Sequence, residues 1–291
     1  MNKTIIGLLC GLSAASIWGG MYVVSKVVLE VVPPFALLTT RLTLGALTLG
    51  LWALIRQQTA FTKTDLRNSF LVGIVGYGIS LGFQFVGTKL STASNGALVT
   101  SATPAFVLLF APFLLKEKTT IRRVIALMVS SLGVLAVIDP RTTDFSSSLF
   151  IGNLSLLAAA LTWALYSVLV RKVSQTSNLL ISSMVMLTAG IPSSILFGSF
   201  ELRTLGLGEI TSGIIGGILF LGIISTALAM FLWNYAFAEL PATVASLTFF
   251  AQPIVGTLLG WLFLGENITS LFILGGILIG IGLIISGTEK S

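Results

Sequence analysis

Ten long apolar stretches, divided by short polar connections, constrain this chain more than any single motif does. A helix rises 1.5 Å per residue, so roughly 20 apolar residues carry it through a ~30 Å hydrocarbon core. Read at that length, the sequence predicts spans at 5–29, 34–55, 69–88, 93–115, 121–138, 149–170, 178–198, 210–236, 242–264 and 268–286. Composition agrees: 9% of the residues are charged and 55% hydrophobic, where soluble domains carry about 25% charged residues. The expected fold class is an all-α membrane protein of ten transmembrane helices, with the lipid bilayer as partner and no attached soluble domain. No Walker loop is present, which removes an attached ATPase.

The net charge of +6 does not point to nucleic acid, because the basic residues sit in short clusters between apolar runs. That pattern encodes orientation in a membrane. One set of alternate connections holds Lys3, Arg56, Lys63, Arg67, Lys116, Lys118, Arg122, Arg123, Arg171, Lys172 and Lys290; the other holds Lys89, Arg141 and Arg203. The imbalance predicts a multi-pass protein of the cytoplasmic (inner) membrane with both termini in the cytoplasm. The single cysteine, Cys10, lies inside the first run, which continues to Leu29 as an uncleaved helix, and no intrachain disulfide is available to it. Without histidine, Cys/His metal sites and histidine-based catalysis are excluded; no cofactor, metal or enzymatic activity is expected.

The chain is written twice. Pro104 and Glu117 are separated by the same interval as Pro253 and Glu266, and a shift of 149 residues also aligns Ala93 with Ala242 and Leu98 with Leu247. At a shift of 145, Trp18 falls on Trp163. The expected domains are two five-helix repeats, near 1–140 and 149–291. Five is odd, so the second copy enters the membrane from the opposite side. Inverted repeats of this kind build transporters whose site lies near the midplane between the halves.

Both prolines fall about halfway through a span, or roughly 16 Å from its start by helical rise. Proline removes a donor and displaces the carbonyl four residues earlier, so Thr100 and Phe249 are expected to lose their helical partners. Those carbonyls, with Ser101, are candidate substrate groups at a kink, or neighbouring hydroxyls take them up. Trp18, Tyr22 and Lys26 share a face of the first helix, and Trp163, Tyr166, Ser167 and Arg171 repeat the arrangement in the sixth. Facing inward, they give aromatic walls with a cation toward each mouth, suited to an amphipathic anion or zwitterion such as an amino acid. Lys26 has an alternative partner in Glu30. Arg41, seven residues into the second helix, is expected to form a structural ion pair with Glu30, the acid nearest in sequence. Since no other acid falls within the deep spans, facilitated diffusion or exchange fits better than obligate proton coupling.

Taken in order, SerIleTrpGlyGly at 16–20, Arg41, TrpAsnTyrAlaPheAla at 233–238, Pro253, GlyGlu at 265–266 and the glycine-rich last helix resemble the EamA-like branch of the drug/metabolite transporter (DMT) superfamily over essentially the whole chain. The resemblance implies ten helices in inverted halves, with helices 1, 3, 4, 6, 8 and 9 around a central cavity and helices 5 and 10 outside it. It adds Gln84, Asn95 and Gln252 as candidate cavity groups. It implies export or facilitated movement of small metabolites, most directly amino acids including aromatic ones. A multidrug, toxin or nucleoside-type exporter of the same superfamily is the alternative. A monomer suffices for such a site, and a homodimer is compatible with it.

Overall fold

The computed structural model describes residues 3–58, 61–116, 120–138, 147–174 and 178–287, and among these there is no strand. The first half comprises α1 (Lys3–Val31), α2 (Pro34–Ile55), α3 (Lys63–Gly73), a π-helical segment (Ile74–Ser80), α4 (Leu81–Leu90), α5 (Ala93–Thr100), α6 (Thr103–Leu115) and α7 (Ile121–Ile138). The second comprises α8 (Ser148–Ser174), α9 (Leu179–Ala189), α10 (Ile191–Thr204), α11 (Ser212–Leu219), a second π-helical segment (Phe220–Leu228), α12 (Ala229–Glu239), α13 (Ala242–Leu247), a 3₁₀ turn (Thr248–Phe250), α14 (Ala251–Leu264) and α15 (Ser270–Gly287). Stacked end to end, these give eight helices long and apolar enough to cross a membrane. The remaining long helices, α7 and α15, pack on each other.

Several helices run past the apolar stretch that predicts them. The third span begins at Lys63 rather than 69, because Thr62 and Asp65 form a capping box: Asp65 N–H donates to Thr62 Oγ1 (3.1 Å) and Thr62 N–H to Asp65 Oδ2 (3.3 Å). Such reciprocal caps satisfy donors that a helix start otherwise leaves open. Helix α2 starts on Pro34, where the missing N–H costs nothing.

Both helices expected to be kinked are broken in two. Helix α5 ends at Thr100 and α6 begins at Thr103, with Pro104 in its first turn; α13 gives way to the 3₁₀ turn and then α14, which carries Pro253. The carbonyl of Thr100 is not left open, because Thr103 Oγ1 donates to it at 2.7 Å. The two π-helical segments also correspond: Ser80 and Ser225 differ by 145 (225 − 80), the offset between Trp18 and Trp163.

Connections gather at two ends of the bundle. At one end, Gly208 N–H donates to Val31 O (3.0 Å), Phe35 N–H to Glu201 Oε2 (2.7 Å), and Ala93 and Ser94 N–H to the two oxygens of Glu266 (2.7 and 2.8 Å). The other end holds the Lys3–Glu239 ion pair (3.7 Å) and the bond from Asn178 to Gln58 (3.3 Å). Glu117 lies outside the described residues.

Arg41 corrects the sequence reading. It is fully buried, yet Glu30 is exposed and is not its partner. Arg41 Nε donates to Thr226 Oγ1 (2.7 Å), Nη2 approaches Ser225 Oγ (3.4 Å), Nη1 approaches Met21 Sδ (3.5 Å), and the guanidinium lies 4.8 Å from the centre of the Phe85 ring. Its depth explains this: seven residues into α2 is about 10 Å below the helix start, whereas Glu30 sits in the last turn of α1 and turns outward. The second π-helical segment meets the guanidinium with hydroxyls instead.

Glu30→Ala is therefore expected to change unfolding free energy by less than about 0.5 kcal/mol, as read from thermal melts in detergent; a loss of about 3–5 kcal/mol would restore it as the counter-ion of Arg41. Glu266→Ala, which removes the acceptor of the Ala93 and Ser94 N–H groups while leaving the Thr92 cap of α5 in place, should cost about 1–2 kcal/mol. An unchanged melt would remove the cap from the stabilising contacts.

Candidate functional site

At the centre of the bundle the broken and widened helices meet around a small cavity. Its walls come from α1 (Trp18, Met21, Tyr22), the first π-helical segment and α4 (Ser80, Leu81, Gln84), the α5–α6 break (Thr100, Thr103), α8 (Ala159, Ala160, Trp163), α12 (Met230) and the α13–α14 break (Phe249, Gln252). These are the segments that the resemblance implied. The space measures about 20 Å³, enough for roughly one water molecule. Two apolar grooves of about 630 and 610 Å³ are larger, but they run between outer helix faces and are lined by side chains such as Leu47, Leu51 and Leu54, or Phe83 and Ile151. Such faces meet lipid chains.

Aromatic packing sets the shape. Trp18 lies edge-on to Trp163 with ring centres 5.5 Å apart, and within 5.4 and 5.8 Å of Trp233 and Phe249. Glycine seats two tyrosines: a Cβ on Gly96 would stand 2.5 Å from the Tyr22 ring, and one on Gly76 would stand 2.3 Å from the Tyr166 ring. No L side chain fits either position without displacing a wall.

A directed chain of hydrogen bonds crosses the cavity floor. Gln84 Nε2 donates to the Tyr22 hydroxyl (2.6 Å), Tyr22 pairs with Thr100 Oγ1 (2.8 Å), and Thr100 Oγ1 donates to Gly96 O (2.6 Å). Since the Thr100 proton goes to Gly96, the Tyr22 proton goes to Thr100. Gln252 Nε2 adds bonds to Thr100 Oγ1 (2.7 Å) and Ala97 O (3.1 Å), tying α14 to α5. Behind Trp163 runs a second chain, from Tyr77 to the Tyr166 hydroxyl (2.7 Å), to Asn234 Oδ1 (2.8 Å), and from Asn234 Nδ2 to Ser183 Oγ (2.9 Å).

Of the residues singled out from the sequence, Trp18, Tyr22, Gln84, Thr100, Trp163, Phe249 and Gln252 line this one cavity. The others lie elsewhere. Tyr166 and Ser167 form the layer behind the wall, Ser167 accepting from Trp233 Nε1 at 3.2 Å. Ser101 Oγ donates to Leu98 O (2.6 Å), and Asn95 Nδ2 reaches Asn153 Oδ1 (3.2 Å) and Ser91 Oγ (3.3 Å) near one end of the bundle. Pro104 and Pro253 stand one residue beyond lining groups, Thr103 and Gln252.

The expected cations at the mouths face helix ends instead. Lys26 Nζ donates to the carbonyls of Thr88 (3.2 Å), Lys89 (3.0 Å) and Ser91 at the C-terminus of α4. Arg171 Nη1 donates to those of Phe237 (3.1 Å) and Leu240 at the C-terminus of α12. Helix C-termini carry open carbonyls and negative dipole ends, which these cations satisfy. The pairs correspond: 237 − 88 and 240 − 91 both equal 149. Among residues that sequence reasoning missed, Ser80 had a detectable signal in its 145-residue offset from Ser225, whereas Thr103, Met21 and Met230 had none.

The sequence profile of the EamA-like transporter family matches residues 5–138 and again 150–288. An uncharacterized transporter of Bacillus subtilis, YoaV, is 28% identical over 289 residues, covering 97% of this chain and 96% of its own. An uncharacterized transporter of Archaeoglobus fulgidus is 26% identical over 271 residues, covering 92% and 94%. A solved crystal structure matches 96% of both chains with a TM-score of 0.70 at 20% identity, a likeness of fold alone. Spanned by the family profile twice along its length, the chain belongs to the EamA-like transporter family, a multi-pass membrane transporter.

Proposed function

We propose that the chain is a secondary transporter of small amphipathic metabolites that works by alternating access around the central cavity, exporting them or letting them equilibrate across the cytoplasmic membrane. The observation that carries this reading is the cavity itself, a small, aromatic-walled space at the junction of two broken and two widened helices. At about 20 Å³ it admits roughly a water, so a metabolite enters only when the surrounding helices move apart. Movement of one half against the other supplies that opening.

The proposed architecture is ten spans in two inverted halves, with both termini cytoplasmic. Supporting the inversion, the acid that follows the last helix turn of α14 caps the start of α5, the corresponding broken helix of the other half. One chain encloses the cavity, so a monomer is sufficient. The tryptophan and phenylalanine walls favour solutes with a flat aromatic body, aromatic amino acids among the candidates. The support once given by Lys26 and Arg171 falls away, since both are engaged on helix carbonyls. Cationic drugs fit less well: no acid lines the cavity, and the buried Arg41 charge lies one side chain away, behind Met21.

Purified chain in liposomes should move at least one labelled aromatic solute down its gradient faster than protein-free liposomes do. Silence across a panel of amino acids, nucleosides and cationic dyes would overturn transport through this cavity. Lys26→Ala should lower thermal stability while changing the flux of tryptophan and tryptophanamide by the same factor. A loss confined to the carboxylate would return Lys26 to substrate binding.

A further inference from the structure

Four buried side-chain polar atoms among the described residues have no hydrogen-bond partner, and two of them, Trp163 Nε1 and Gln84 Oε1, belong to residues lining the same cavity. One is a donor and the other an acceptor. A buried polar atom left unpaired is costly, and such exceptions mark strain, water or a ligand.

Neither orphan follows from the local fold. Trp163 repeats Trp18 in the second half, and Trp18 Nε1 is satisfied, donating to Ser225 O at 3.0 Å. The corresponding acceptor for Trp163 is Ser80, at the same offset of 145 and in the same cavity wall, yet Trp163 Nε1 does not use it. Trp163 is 6% exposed, so bulk solvent does not take its place. Gln84 is oriented by the bond from its Nε2 to Tyr22, and the Tyr22 and Thr100 protons run away from it. Its Oε1 is therefore the open upstream end of that chain.

The lining carries no formal charge. A charged head would shed its hydration there against single neutral partners, which is unfavourable at mid-membrane depth. An uncharged head group with one acceptor and one donor matches the two orphans without that cost.

Resting on the transport reading above, we propose that Trp163 Nε1 and Gln84 Oε1 are a substrate-reading pair, selecting a flat apolar body with an uncharged carboxamide or lactam head.

The test is calorimetric titration of the full chain in detergent with indole-3-acetamide, indole-3-acetate, tryptamine, tryptophan and 3-methylindole. The amide should bind at least about ten-fold more tightly than the three charged compounds, and Trp163→Phe, which keeps a ring but removes the N–H, should weaken the amide about ten-fold. Binding of 3-methylindole, which lacks the head, should fall by a clearly smaller factor than that of the amide in this variant; Gln84→Met should likewise weaken the amide more than 3-methylindole. Equal binding of charged and amide compounds, an unchanged amide affinity in Trp163→Phe, or equal losses for amide and 3-methylindole would each overturn the pair. If none of these compounds binds while liposomes carry other solutes, the head-group assignment fails and transport stands. If liposomes carry nothing, the transport reading is the one that fails.

Discussion

In hydrocarbon no water is available to take up an open N–H or C=O, so every helix end and every helix break has to find its partner within the protein. That requirement organises the molecule. Lys26 closes the end of α4, Arg171 the end of α12, Glu266 the start of α5 and Glu201 the start of α2. Few charges are available in such an apolar chain, and these four are placed on backbone rather than on one another. The equivalence of the Lys26 and Arg171 contacts, from cations 145 apart to carbonyls 149 apart, shows the duplicated sequence keeping one solution in both copies.

Against that background of satisfied groups, the centre is built differently. Helical continuity is given up at four places, two broken helices and two π-helical segments, and all four contribute to or adjoin one small space. π-Helical turns are rare and concentrate at functional sites. Their effect here is to present Ser225 O to Trp18 and the Thr226 and Ser225 hydroxyls to Arg41. The second half is thereby tied to the first through a few long-range polar bonds beside the cavity, in addition to the apolar core that the two halves share.

Much of this was legible in the residues. Apolar run length anticipated the eight helices long enough to cross a membrane, because the bilayer fixes that length, and the 149-residue offset between Pro104 and Pro253 pointed to the two helix breaks. Helical spacing put Trp18, Tyr22 and Trp163 on inward faces, where they are found. The same spacing misled for Lys26, since a face defined by periodicity says nothing about how far the cavity extends along it, and a flexible lysine reaches the nearest carbonyls. Arg41 misled for a related reason: Glu30 is close in sequence but turns outward, and the hydroxyls that hold the guanidinium lie about 185 residues away. The capping box that extends α3 to Lys63 sits in polar sequence that hydropathy discards. The π-helical segments left as a trace only the 145-residue offset between Ser80 and Ser225.

Arg41 has an electrical consequence. A unit charge crossing the whole of a 100 mV membrane potential gains about 2.3 kcal/mol. This guanidinium is held by hydroxyls of the opposite half, so in the proposed alternating access its travel would be limited to a slip of α2 along the Phe220–Leu228 segment. A slip through a tenth of the field is worth about 0.2 kcal/mol, less than thermal energy. With Lys26 and Arg171 anchored to helix ends and no formal charge lining the cavity, the proposed alternating access would turn over nearly indifferent to the voltage of the cell that holds it.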